Sequence, residues 1–193
     1  MAANPIPIKA QEVLDFWFGA EDVERPEWFR KNAAFDSEIA RRFGALIDEA
    51  LSGGLRDWVR HPRSSLALIV LLDQFTRNTR RGTAQAFAGD ALALQAAKAM
   101  VATGQDRQLT PIQRGFVYLP FEHSEALADQ DESLRVIGAL VAEAPGRRGL
   151  LDYARRHHAI VARFGRFPHR NAQLGRESTA EEIEFLKQPG SGF

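Results

Sequence analysis

The stretch LALIVLLDQF, Leu66 to Phe75, constrains the fold more than any other part of the chain. Seven successive apolar residues, Leu66 to Leu72, put apolar side chains on every face of a helix, so other helices must enclose it. The run is far short of the roughly 20 apolar residues a membrane-spanning helix needs. It ends abruptly at Asp73, which predicts a charged helix end next to a packed interior.

The rest of the chain supplies helices to do the enclosing. Apolar residues recur at helical spacing, and no run alternates polar and apolar between turn dipeptides. Val13, Phe16, Trp17 and Ala20 form a first stripe, closed by Gly19, and Trp28 and Phe29 follow Pro26 in a short turn. Ile39, Phe43, Leu46, Ile47 and Ala50 form a second stripe between an N-cap at Asp36 and the pair Gly53-Gly54. Leu55 and Trp58 sit on a short helical turn before Pro62, and a buried helix spans Ser64 to Arg77. A further helix covers Asp90 to Ala102, and Pro111 opens another that carries Phe116, Val117 and Tyr118. Pro120 marks a break or a new first turn, from which a long helix reaches Glu143 with Leu134, Ile137, Leu140 and Val141 inward. After the turn Pro145-Gly146, Leu150 to Phe164 is helical, with Tyr153, His157, Ile160, Val161 and Phe164 on one face. Gly165 to Arg176 reads as an extended polar connection. Ser178 with Glu181 reads as a capping box for a last helix through Leu186, and Pro189 to Phe193 as a surface tail. About eight antiparallel helices with short links predict an all-α fold of stacked helical hairpins, in one domain over residues 1–193.

Composition bounds the function. Hydrophobic residues make up 45% and charged residues 26%, globular values, and the formal net charge is zero, so no whole-chain basic field draws nucleic acid. Cysteine is absent, which removes disulfides, zinc fingers, iron–sulfur ligation and a thiol nucleophile. Met1 to Ala20 lacks the basic and apolar regions of a signal peptide, so the expected location is cytoplasmic, with no membrane partner. There is no glycine-rich phosphate loop, GxSxG elbow or HExxH helix. The sequence does not identify a cofactor.

Three polar constellations remain. In DQFTRN-TRR, Asp73, Gln74, Arg77, Asn78 and Arg81 end the buried helix. Asp73 and Arg77 can pair four residues apart, closing the helix end, or Arg77 and Arg81 can face an anionic ligand. In PFEHSEALADQDE, Glu122, Glu125, Asp129 and Glu132 share a face if the helix is continuous. They form a solvated acidic face or, with His123, a carboxylate cluster for acid–base work or metal. The Glu-x-x-His pattern of helical di-metal sites is absent. In HHAIVARFGRFPHRN, His157 lies on an apolar face, as core histidines do, while Arg166, His169, Arg170 and Asn171 crowd a proline-stiffened loop. Adjacent blocks of opposite charge join the last two. Residues 122–143 hold six acids and one arginine, and residues 147–176 hold eight arginines and one acid. The chain has 21 arginines against four lysines, and arginine suits bidentate recognition of carboxylate or phosphate.

The strings VLDFWFG, WFRKNAAFD, LIVLLDQFTRN, RGTAQAFAGDALAL, PFEHSEALADQ and FGRFPHRNAQLGRESTAEEIEFL resemble, in order, the bacterial family catalogued as domain of unknown function nine-two-four. The resemblance runs from Val13 to Phe193. It implies an all-α fold similar to tetratricopeptide-repeat architecture in a small cytosolic protein. It brings no reaction and no catalytic residues. The chain departs from the family pattern at Thr76, where a proline is usual, which should alter the local helix.

Three functions follow as expectations. The first is a helical binding module for an anionic small molecule or peptide carboxylate, with Asp73, Gln74, Arg77, Asn78 and Arg81 on one wall and Arg166, His169, Arg170 and Asn171 opposite. The second is a metal-assisted or acid–base hydrolase built on Glu122, His123, Glu125 and His157. The third, ranked last because few aromatics interleave with the arginines, is RNA binding.

Overall fold

The computed structural model describes residues 6–19, 23–28 and 30–192, so Ala20, Phe29 and Phe193 lie outside the described residues. All regular elements among the described residues are helical. The chain divides into two compact units, residues 1–81 with 85–120, and residues 82–84 with 121–193.

The first unit begins with α1 (Ile8–Phe18), ended by Gly19 at φ 72°, a left-handed conformation glycine adopts without strain. A 3₁₀ turn, Pro26–Trp28, leads to α2 (Ala33–Leu51). The N-cap of α2 is Asn32, not Asp36: its side chain accepts from the Ala34 and Phe35 amides, both at 3.1 Å. Asp36 falls in the first turn, where its carboxylate binds other partners described below. The inward stripe of α2 is Ile39, Phe43, Leu46, Ile47 and Ala50, as its spacing requires.

After a 3₁₀ turn, Arg56–Arg60, the central helix starts earlier than expected, at Pro62, with His61 as N-cap. It is not uniform. α3 (Pro62–Ile69) passes into a π-helical turn, Val70–Phe75, and then α4 (Thr76–Thr79). Leu66 to Leu72 are all buried. The wide turn gives the Leu72 carbonyl unusual neighbours. The Thr76 hydroxyl donates to it at 2.5 Å, and a Cβ on Gly89 would approach it to 2.1 Å. Thr76 thus supplies a side-chain donor to a carbonyl of the widened turn.

α5 (Asp90–Thr103), a 3₁₀ turn at Gln105–Gln108 and α6 (Pro111–His123) follow. Pro120 lies inside α6 rather than at its end. Aromatic rings fill the core: Trp17, fully buried, lies 5.5 to 6.0 Å from the rings of Trp28, Phe35, Phe75 and Phe116. A buried polar network escaped the sequence reading. Tyr118 donates to Asp106 at 2.6 Å and accepts from Arg114 at 3.2 Å, and burial with the Asp106 bond pushes the phenol up to about 12.

The second unit contains the last residues of α6, α7 (Leu127–Glu143), α8 (Arg148–Phe164) and α9 (Ala180–Leu186). The expected continuous helix to Glu143 is broken at Ser124–Ala126. The Gln130 amide meets the break by donating to the carbonyls of Phe121, Glu122 and Ser124 at 3.3, 2.7 and 2.6 Å. Glu122, Glu125, Asp129 and Glu132 therefore do not share one helical face. α7 and α8 pack along each other, with His158 2.9 Å from Asp131. On α8, His157, Ile160 and Val161 are buried, but Tyr153 stands out at 54% exposure under the Arg156 guanidinium. The connection after Gly165 is compact, not extended: it forms a 3₁₀ turn, Pro168–Arg170, beside the fully buried Phe167. The last helix is capped one residue later than expected, by the reciprocal Thr179–Glu182 pair.

Candidate functional site

The first constellation lies in the first unit and pairs within it. Arg77 donates to Asp73 at 3.0 Å and grips Asp90 through two nitrogens, at 2.9 and 3.0 Å. Burial opposes the Arg77 charge, and Asp73 and Asp90 outweigh it, so its pKa lies above the ordinary value. Gln74 donates to the other Asp73 oxygen. Asn78 and Arg81 both bind Asp36, 42 and 45 residues upstream, with shortest contacts of 2.6 and 2.7 Å. Arg77 and Arg81 thus each hold a carboxylate, and Asp36 and Asp90 are partners that spacing within DQFTRN could not reveal.

The second and third constellations meet in the second unit. His157, 5% exposed, places Nδ1 2.9 Å from the Tyr153 carbonyl and 3.3 Å from Glu122 Oε2. A carbonyl only accepts, so Nδ1 carries the hydrogen of the neutral ring. Its ring centre lies 6.1 Å from that of His123 and 5.6 Å from that of Phe167. Phe167 is also 5.6 Å from the His169 ring, and the Arg170 guanidinium lies over its face at 4.5 Å. Arg170, only 6% exposed, donates to the His123 carbonyl at 3.0 Å. Glu125 accepts from the Phe167 amide at 2.8 Å and from both terminal nitrogens of Arg176, at 2.6 and 2.9 Å.

The electrostatics follow from burial and from arginine. Burial, then the neighbouring His123, pushes His157 down to about 3. Burial and Arg170 push His169 down to about 4. Both rings are therefore uncharged near neutral pH. Burial works against the Glu125 charge, but the bonds from Arg176 and Phe167 prevail and lower its pKa.

Arg166 and Asn171 serve a neighbouring clasp. Arg166 grips Glu182 at 2.7 and 2.8 Å, and Asn171 donates to Glu182 and Ser178 and accepts from Arg176. Arg166 holds the Glu182 carboxyl down to about 2. A depression of about 320 Å³ borders this clasp, lined by Arg163, Phe164, Arg166, Thr179, Glu181 and Glu182, with Arg163 paired to Glu181 and Arg166 to Glu182. Among the described residues, no group of three or more histidines and carboxylates is placed to hold a metal ion. No helix among them is long and apolar enough to cross a membrane.

A family model described as bacterial protein of unknown function (DUF924) matches residues 13–190. The chain belongs to that family. It is also similar to a solved structure of a protein of unknown function, ATU0120, from Agrobacterium tumefaciens. The two are 40% identical with a TM-score of 0.84, over 93% of this chain and 97% of that one. No curated protein matches. In this DUF924 chain the residues that sequence reasoning missed are Phe167 and Arg176, which tie the loop to Glu125, and Glu182, which anchors Arg166. The arginine block facing an acidic block was the available signal. It gave the sign of the pairing but not the partners.

Proposed function

We propose that this DUF924 chain is a binding module for a small molecule bearing a carboxylate or phosphate, and that its site is the buried cluster of the second unit. Arg170 supplies the cation, and His123, His157 and His169 supply hydrogen-bonding groups beside it. The observation that carries this reading is the convergence of Glu122, His123 and Glu125 with His157, His169 and Arg170. These groups come from three segments: His157, His169 and Arg170 surround the ring of Phe167, Glu122 and His123 lie beside His157, and Glu125 accepts from the Phe167 amide. An arginine stacked on an aromatic face keeps its planar fork oriented for an oxyanion.

Binding is favoured over the acid–base alternative by His157 and His169. A general base works best with a pKa near the operating pH. Rings that take a proton only near 3 and 4 are poor shuttles at neutral pH but serve as neutral donors and acceptors. The metal-assisted form has Glu125 already bound by Arg176. RNA binding is disfavoured because Arg155, Arg163, Arg166 and Arg176 of the basic block each pair with a carboxylate. The constellation around Arg77 is read as scaffold, since its cations are held by Asp73, Asp90 and Asp36.

The test is calorimetric titration and thermal shift with inorganic phosphate and citrate. At about 100 times the dissociation constant, a ligand raises the melting temperature by on the order of 5 °C. Arg170→Lys keeps the charge and loses the fork, so it should weaken binding about ten-fold. The exposed Arg41→Ala should change nothing. Absence of any shift, or an unchanged affinity in Arg170→Lys, would contradict the proposal.

A further inference from the structure

We infer that Gln130 and Ser133 form a subsite that hydrogen-bonds a hydroxyl or N–H group of the ligand, so that the site prefers a hydroxylated anion to its unsubstituted analogue. This rests on the anion-binding reading above and adds a substrate class to it.

Both residues are fully buried on α7. They stand three positions apart, which puts them on one face of the helix. Gln130 Oε1 and Ser133 Oγ are buried side-chain atoms with no hydrogen-bond partner in the protein. The orientation of the Gln130 amide is fixed by chemistry. Its nitrogen faces three carbonyls, of Phe121, Glu122 and Ser124, and only an N–H₂ can satisfy them. The oxygen is therefore an acceptor held on the side away from those carbonyls. Ser133 does not donate back to the carbonyl one turn earlier, the usual outlet for a buried helical serine.

Asp131, between Gln130 and Ser133 in sequence, contacts His158 at 2.9 Å, the residue next to His157 on α8, and α7 packs against α8. Glu122 links the same groups: its carbonyl takes the Gln130 amide at 2.7 Å, and its carboxylate lies 3.3 Å from His157. An acceptor-only oxygen beside a hydroxyl suits a ligand group that donates one hydrogen bond and accepts another, and an alcohol does both. Leaving such buried groups unmatched costs free energy, which is how a site rejects an analogue lacking the hydroxyl.

The experiment compares malate with succinate, dicarboxylates that differ by one hydroxyl, by calorimetric titration of the full chain. Malate should bind roughly ten-fold or more tightly. In Ser133→Ala the ratio should fall toward one, while the melting temperature without ligand stays level or rises, because a buried hydroxyl is removed. The conservative Ser133→Thr should retain part of the preference. Equal binding of malate and succinate, or of phosphate alone, would overturn the inference and leave the anion reading in place. A preference that persists in Ser133→Ala, or a Ser133→Ala chain that melts well below the parent, would also overturn it. Binding of none of these anions would overturn both.

Discussion

Trp17 and Phe167 are both fully buried, yet they have different company. Trp17 is surrounded by Trp28, Phe35, Phe75 and Phe116, and Phe167 by two imidazoles and a guanidinium. The first arrangement is apolar packing among rings that carry no titrating group in the ordinary pH range. The second holds ionisable groups in a place where their protonation is costly, and evolution keeps such groups where function or a specific local structure needs them. The contrast is the basis for proposing scaffold in the first unit and a binding site in the second.

The largest effect expected from the comparison comes from its apolar side. Trp17→Ala should cost about 4 kcal/mol by urea unfolding, with no dependence on salt. A cost near 1 kcal/mol would mean the ring cluster is not the centre of the first unit. Next comes Glu125→Gln, which keeps the size and loses the charge that Arg176 grips. A cost of about 2 kcal/mol is expected, below that of a fully buried pair because Glu125 and Arg176 are each about a quarter exposed. The same variant should loosen the loop at Phe167, read as faster amide exchange there.

The smallest effect is the dependence on mild acid. The folded pKa values of His157 and His169 are depressed to about 3 and 4, so the unfolded chain takes up protons first, near 6.5. Their contribution is fully present above about 6.5 and is lost progressively as pH falls toward 4 and 3. From pH 7 to pH 6 the loss is about 1 kcal/mol. Tyr118 gives the opposite sign in the first unit: its phenol, raised to about 12, holds stability below pH 10 that is lost as pH rises through 12. Acid melting that spares residues 121–192 and alkaline melting that spares residues 85–120 would break the comparison.

What was legible in the sequence follows the same division. The α2 stripe and the buried run from Leu66 to Leu72 were readable because apolar periodicity is local. The π turn was not, since nothing in VLLDQF distinguishes a wide turn from a regular one. What accompanies the turn is a hydroxyl at Thr76 and a bare glycine at 89. Asp36 was a reasonable N-cap by residue type, but Asn32 occupies that position, and Asp36 is drawn instead to Asn78 and Arg81. The four acids from Glu122 to Glu132 suggested one face because spacing assumes an unbroken helix. The break is stabilised by Gln130, a residue with no special standing in the sequence. Phe167 and Arg176 reach Glu125 across 42 and 51 residues, and no periodicity reports a contact of that kind.

The most direct test of the central claim is an NMR titration of the histidine side chains, with and without phosphate. The account predicts that His157 and His169 stay neutral from pH 8 to pH 5, and that phosphate moves their signals while leaving His61 of the first unit in place. Titration of both rings near 6.5, or phosphate shifts no larger than those at His61, would contradict it.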